Sequence, residues 1–90
     1  MLKKRLKIIN PLGLHARAAA QLVRLAGTFQ SRILLKRTDG AMTADAKSIL
    51  NILTLAASKG VELDVEIEGD DEAAAMEAIE DIFERGFGEI

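Results

Sequence analysis

The 90-residue chain has no cysteine, tryptophan or tyrosine, only three phenylalanines, one proline and one histidine. Without cysteine there are no disulfides and no thiolate metal ligands, and the chain suits a reducing compartment. The scarcity of aromatics removes the stacking platforms on which nucleic-acid bases are read. A formal net charge of −2 argues equally against a broad nucleic-acid footprint. No apolar run approaches a membrane span, and the one after the basic N-terminal residues is too short for the core of a signal peptide. A cytoplasmic protein that neither enters membranes nor binds nucleic acid is the expectation. The lone histidine, with no second histidine, aspartate pair or serine beside it, gives little support to a metal site or to independent catalysis.

What is present describes an ordinary globular protein. Apolar residues make up 49% of the chain and charged ones 29%, close to the usual share of roughly a quarter. The length predicts a single domain, residues 1–90, with a modest core and little area for a large closed cleft. A monomer is the default. Lysine and arginine dominate up to Arg37, whereas aspartate and glutamate dominate after Val61.

Residues 2–9 alternate, with Leu2, Lys4, Leu6 and Ile8 on one side and Lys3, Arg5, Lys7 and Ile9 on the other, which predicts a strand. Asn10-Pro11 ends it. From Ala16 to about Ala26, residues Ala19, Leu22, Val23 and Ala26 fall at helical spacing, and Gly27 is a natural stop. Residues 32–37 read as a second strand. Thr38-Asp39-Gly40 signals a hairpin, with Asp-Gly suited to a type I′ turn, and a third strand follows over about 41–45. Ser48 then precedes Ile49, Ile52, Leu53 and Ala56, which predicts a helix capped by Ser48 and ending near Ser58-Lys59-Gly60. Residues 61–68 alternate without a fault, apolar on one face and acidic on the other. The basic outer face of the first strand would relieve that acidity if the two strands were neighbours. Asp70 is the expected cap of a third helix whose stripe is Ala75, Met76, Ile79, Ile82 and Phe83, closed by Arg85 and Gly86 with Phe87 packing back. The order β-α-β-β-α-β-α, with one apolar face per strand, predicts an α+β fold: a four-stranded antiparallel sheet with three helices on one face.

The chemistry concentrates at Asn10-Pro11-Leu12-Gly13-Leu14-His15-Ala16-Arg17. His15 sits where an extended segment becomes a helix. A helix start presents unpaired N–H groups and partial positive charge, a setting for an anion. Imidazole is nucleophilic near neutral pH, and a phosphoryl group on it would meet the N–H groups of Ala16 and Arg17. The dipole contributes ~0.3–2 kcal/mol, and a charged hydrogen bond from Arg17 about 1.5–3 kcal/mol. Such magnitudes hold a labile group without trapping it, as suits a carrier better than a hydrolase.

Gly13-Leu14-His15-Ala16-Arg17 followed by an alanine-rich helix resembles the active-site motif of HPr, the histidine-containing phosphocarrier family of the bacterial phosphotransferase system. Lys47-Ser48-Ile49-Leu50 is similar to that family's second motif, around a regulatory serine. Ala57-Ser58-Lys59-Gly60 and Gly69-Asp70-Asp71-Glu72 match as well, and the ending Ile82-Phe83-Glu84-Arg85-Gly86-Phe87-Gly88 is similar to the nitrogen-related NPr branch. The resemblance implies an open-faced β-sandwich with sheet order 1-4-2-3 and no cofactor. It implies that Enzyme I phosphorylates His15 on Nδ1 at the expense of phosphoenolpyruvate, that Arg17 is the anion partner, and that the group passes to a histidine of an enzyme IIA. It leaves the sugar and nitrogen-related branches both open.

Three further readings attach to the resemblance. Proline usually follows the arginine in this family, and Ala18 stands there instead. Alanine keeps the helix start and restores one N–H, but the turn that aims His15 is less rigid. Ser48 is a helix cap worth ~1 kcal/mol on its own, and in the family it is a site for an ATP-dependent HPr kinase/phosphorylase. Leu12, Leu14, Ala20, Arg24, Lys47, Ile49, Leu50 and Thr54 form a candidate partner surface, an apolar dock ringed by positive charge, if both helix starts face the same side. Two alternatives stand beside the carrier: a regulatory relative acting through Ser48 and a transcription factor with His15 idle, and a small α/β module that binds a metabolite or RNA.

Overall fold

The acidic face of 61–68 finds basic partners on both sides. A computed structural model describes residues 1–89. Strand β4 (Glu62–Glu68) lies between β1 (Leu2–Lys7) and β2 (Arg32–Arg37), and β3 (Thr43–Asp45) completes an antiparallel sheet of order β1-β4-β2-β3. Lys3 faces Glu66, Arg5 faces Asp64 and Lys7 faces Glu62, while Arg32 and Lys36 of β2 face Glu68 and Asp64. Arg5 Nε reaches Asp64 Oδ1 at 3.0 Å and Lys3 Nζ reaches Glu66 Oε2 at 3.7 Å. Exposed pairs of this kind stabilise little. Their effect is on register, because a slip of one residue would put every charge on the core face.

The opposite face of the sheet carries the core. Ile33 and Leu35 of β2, and Leu63, Val65 and Ile67 of β4, are fully buried. Each such side chain contributes ~1.5–3 kcal/mol relative to exposure. Helices α1 (Ala16–Ala26), α2 (Ile49–Thr54) and α3 (Glu72–Glu84) cover that face, α3 over β1 and β4, α2 beside β3, and α1 against the other two helices. Helix α1 buries Ala18, Ala19, Leu22 and Ala26, with Val23 only half-buried. Lys4, on the side of β1 that faces α3, extends to Glu80 at 2.7 Å.

Several expectations need correction. The turn before β3 is not a two-residue type I′ hairpin: Arg37 N–H donates to the Met42 carbonyl at 3.2 Å and β3 begins only at Thr43. The Arg37 guanidinium folds this turn, holding Asp39 at 2.7 Å while Nη1 donates to the Leu55 carbonyl at 2.8 Å. That second bond also shortens α2, which ends at Thr54 and not near Gly60. Arg37 takes the carbonyls of Leu55 and Ala56 at the helix end, and Ala56 turns the chain with φ +47°. The buried positions shift accordingly. Only Ile52 of α2 is buried, followed by Leu55 and Ala57 from the connection, while Ile49 and Leu53 are exposed. Gly27 closes α1 in the right-handed region, so no left-handed residue is used there.

Asp71, and not Asp70, stands at the start of α3, and its side chain caps nothing in that helix. Its carboxylate accepts from the N–H groups of Gln30 (2.8 Å) and Ser31 (2.9 Å) and from the Ser31 hydroxyl. Asp71 thus staples the entry of β2 to the start of α3. After α3 the chain makes a 3-10 turn, η1 (Gly86–Gly88), in which Phe87 has φ +54° and is buried, its ring 5.3 Å from that of Phe83. Among the described residues, no helix is long and apolar enough to cross a membrane.

Candidate functional site

The loop before α1 is built to close tolerances. Asn10 is fully buried, and its Nδ2 donates to the Gly13 carbonyl at 2.8 Å. Gly13 N–H returns to the Asn10 carbonyl at 3.1 Å, and Leu14 N–H donates to the Ala57 carbonyl at 2.8 Å. Gly13 has φ +67°, and a Cβ there would stand 2.6 Å from the Ala57 carbonyl oxygen. Only glycine combines that conformation with that approach. Leu14 is buried, with 5% of its surface exposed, which removes it from the partner surface: its side chain anchors the loop in the core.

His15 follows as the N-cap of α1, with φ −73° and ψ 177°. Its carbonyl accepts the first helical bond, from Ala19 N–H at 2.8 Å. Helix geometry therefore leaves the N–H groups of residues 16–18 without carbonyl partners, and Arg17 N–H turns to His15 Nδ1 at 3.3 Å. The imidazole is partly exposed, and its other nitrogen, Nε2, lies 2.5 Å from Glu89 Oε2. Glu89 had no sequence signal, lying 74 positions away. The turn after α3 delivers it, with Glu89 N–H bonded to the Gly86 carbonyl at 3.0 Å. Its carboxylate also accepts from Asn10 Nδ2 (3.0 Å) and Leu12 N–H (3.3 Å). The hydrogen bond to His15, aided by those from Leu12 and Asn10, holds the Glu89 carboxyl below the usual range.

Arg17 is exposed, and its guanidinium makes no ion pair among the described residues. Ala18, in the place of the family proline, is fully buried and faces the core from the first helical turn. Among the described residues no group of three or more His, Asp or Glu could hold a metal ion.

A chain whose single histidine caps a helix, with one ring nitrogen at the helix start and a free arginine two residues on, can be set beside known proteins. The family profile described as PTS HPr component phosphorylation site matches residues 2–85. The chain belongs to the HPr family. Phosphocarrier protein HPr of Xylella fastidiosa is 46% identical over 89 residues, which span 99% of this chain and 98% of that protein. Phosphocarrier protein NPr of Proteus mirabilis is 42% identical over 86 residues, 96% of this chain and 94% of its own. The crystal structure of HPr from Thermoanaerobacter tengcongensis superposes with a TM-score of 0.92 at 39% identity, covering 100% of this chain and 99% of that one. HPr from that organism has also been crystallised as a dimer. The chain is accordingly an HPr/NPr-type phosphocarrier of the phosphotransferase system, a carrier and not an enzyme.

Within this HPr fold the candidate surface residues separate. Leu12 and Leu50 are the most open, 69% and 72% exposed, with Ile49 at 37%. Arg24 and Thr54 are exposed and Ala20 is half-buried. Lys47 is exposed along its stem, but its Nζ donates to the Phe29 carbonyl at 2.8 Å. That bond, at the end of α1, and the Leu14–Ala57 bond at its start run α1 and α2 antiparallel. Ser48 and His15 therefore occupy opposite ends of the helix pair. Ser48 does cap α2, its Oγ accepting from Asn51 N–H at 3.4 Å.

Proposed function

We propose that this carrier receives a phosphoryl group on Nδ1 of His15 from Enzyme I and passes it to a histidine of an enzyme IIA. The observation that carries the reading is the Nδ1–Arg17 N–H contact at the start of α1. When Nδ1 takes phosphorus, Arg17 N–H is the nearest donor to shift to a phosphoryl oxygen, joined by Ala16 N–H, and the free Arg17 guanidinium supplies charge. Ala18 keeps this helix start open, so transfer survives without the proline. Each contact is modest in energy, so the group remains transferable.

Leu12 at one end of the helix pair, and Ile49 and Leu50 at the other, supply open apolar area for partner proteins, with Arg17 and Arg24 drawing acidic surfaces and speeding encounter. The carrier works in the cytoplasm as a monomer. Ser48 is a second phosphorylation site, served by an HPr kinase/phosphorylase. Ser48 is only half-buried, and a phosphate there would add negative charge to a docking face suited to acidic partners.

Incubation with labelled phosphoenolpyruvate and a cognate Enzyme I tests the main reading. Wild type acquires acid-labile phosphate that an enzyme IIA removes, and His15→Ala acquires none. Equal labelling of His15→Ala overturns the site, and absence of labelling in wild type overturns the function.

A further inference from the structure

The contact between His15 and Glu89 is not explained by capping or by packing. Glu89 is on no regular element, yet its two carboxylate oxygens take three donors: His15 Nε2, Asn10 Nδ2 and Leu12 N–H. Asn10, one of those donors, is itself fixed. It is fully buried, and its Nδ2 serves both Glu89 and the Gly13 carbonyl. Rotating that amide would put an oxygen against two acceptors, so only one orientation works. A buried amide thus aims a carboxylate at the imidazole.

An ionised carboxylate only accepts, so the proton in the His15–Glu89 bond belongs to Nε2. Neutral imidazole carries one N–H, which leaves Nδ1 with its lone pair. From the other edge of the ring, Arg17 N–H donates to that same lone pair. Both contacts favour one tautomer, the one in which Nδ1 is the nucleophile; the short bond to the Glu89 carboxylate is the stronger, and the 3.3 Å contact from Arg17 N–H is too long to hold it alone.

Resting on the phosphocarrier reading above, we propose that Glu89 is a positioning residue for phosphoryl transfer, holding His15 in the Nε2–H tautomer and balancing the positive charge that the ring acquires. The step needs no base. The Nδ1 lone pair forms the new N–P bond, the bond from phosphorus to the donor breaks, and its electron pair leaves with the donor. Nε2 keeps its proton, so the phosphorylated ring is an imidazolium. The bond to Glu89 becomes charge-assisted and strengthens as the reaction proceeds. Transfer onward is the reverse: the electron pair of the N–P bond returns to Nδ1 and the ring is neutral again.

The full chain labelled with 15N in its histidine ring, in the neutral-ring state, reports the tautomer directly. Wild type shows the Nε2–H form, whereas Glu89→Ala shows a mixture and accepts phosphoryl from Enzyme I about tenfold more slowly, the order expected for loss of one charged hydrogen bond at a partly exposed site. Glu89→Gln separates the two roles. Oε2 faces two donors and Oε1 only Leu12 N–H, so the glutamine oxygen takes the Oε2 place. This variant keeps the wild-type tautomer but stays slow, because the charge is gone. Far-ultraviolet circular dichroism checks that both variants fold. A wild-type tautomer or a wild-type rate in Glu89→Ala overturns the proposal, as does a mixed tautomer in Glu89→Gln. If wild type itself takes no label, the phosphocarrier reading fails instead, and the ring spectra still decide whether Glu89 sets the tautomer.

Discussion

Replacing Gly13 with alanine tests whether the loop that presents His15 is as closely fitted as its contacts indicate. Two costs add. Gly13 has φ +67°, and a left-handed conformation costs a residue with a Cβ about 1–2 kcal/mol. The new Cβ also meets the Ala57 carbonyl oxygen at 2.6 Å and Ser58 Cα at 2.8 Å, both backbone atoms that cannot rotate aside. Overpacking of this kind costs about 1–3 kcal/mol. The sum, about 2–5 kcal/mol, is a large part of the roughly 5–15 kcal/mol that holds a domain together. At ~4–8 °C per kcal/mol, the midpoint of thermal unfolding falls by at least about 8 °C. Gly60→Ala is the matched control. Gly60 has φ +93° but nothing within 4 Å of the Cβ position, so it reports the backbone cost alone. Both substitutions remove the same backbone freedom from the unfolded chain, and that term cancels in the comparison. Urea and thermal unfolding of the two variants, measured together, then isolate the steric part. If Gly13→Ala is no more destabilised than Gly60→Ala, the loop yields freely and the close fit beneath His15 has no energetic weight.

Two further predictions concern stability. Asp71 is held below the usual carboxylate range by the Ser31 hydroxyl first, then by Gln30 and Ser31 N–H. A depressed folded pKa means that this stabilisation is complete above the unfolded value, about 3.9, and is lost as pH falls toward the folded one. Asp71→Asn should therefore be less stable than wild type at neutral pH and lose less of its stability between about pH 5 and pH 2, since Asp39, Asp64, Glu72 and Glu89, also lowered, supply the remaining acid sensitivity. Urea midpoints measured across that range check it, and an acid limb identical to wild type refutes it. Ser48→Ala removes the cap of a six-residue helix whose other end Arg37 still holds, and the capping bond is long at 3.4 Å. A loss of about 0.5 kcal/mol is expected, the low end for a cap; a loss above about 2 kcal/mol would mean that Ser48 holds more than α2.

The features readable in the sequence are those set by neighbours in the chain. Alternation in 61–68 shows which residues of β4 turn inward, and the complementary charges of Lys3, Arg5 and Lys7 favour β1 as its neighbour, where the sheet places it. His15 at a helix start follows from the preceding Pro11 and Gly13 and the alanine run after it. Errors arose wherever a distant side chain decides a local outcome. Helical spacing carries α2 on to Ser58, but a guanidinium from β2 takes its last carbonyls, and Leu14 N–H claims that of Ala57. Asp70 and Asp71 are equally good caps on paper, and only Ser31, 40 positions back, makes Asp71 the one that matters. The same limit applies at the site. Sequence identifies the histidine and the arginine because they share a motif with the helix start, yet the carboxylate on the far edge of the ring comes from the turn after α3. A lone imidazole at a helix start leaves its second nitrogen unassigned. A nucleophile that must always present the same nitrogen needs a partner there, so the question a sequence can raise is which acceptor comes back to His15. The answer requires the path of the chain past Phe87, whose buried ring sets the direction in which Glu89 leaves the helix.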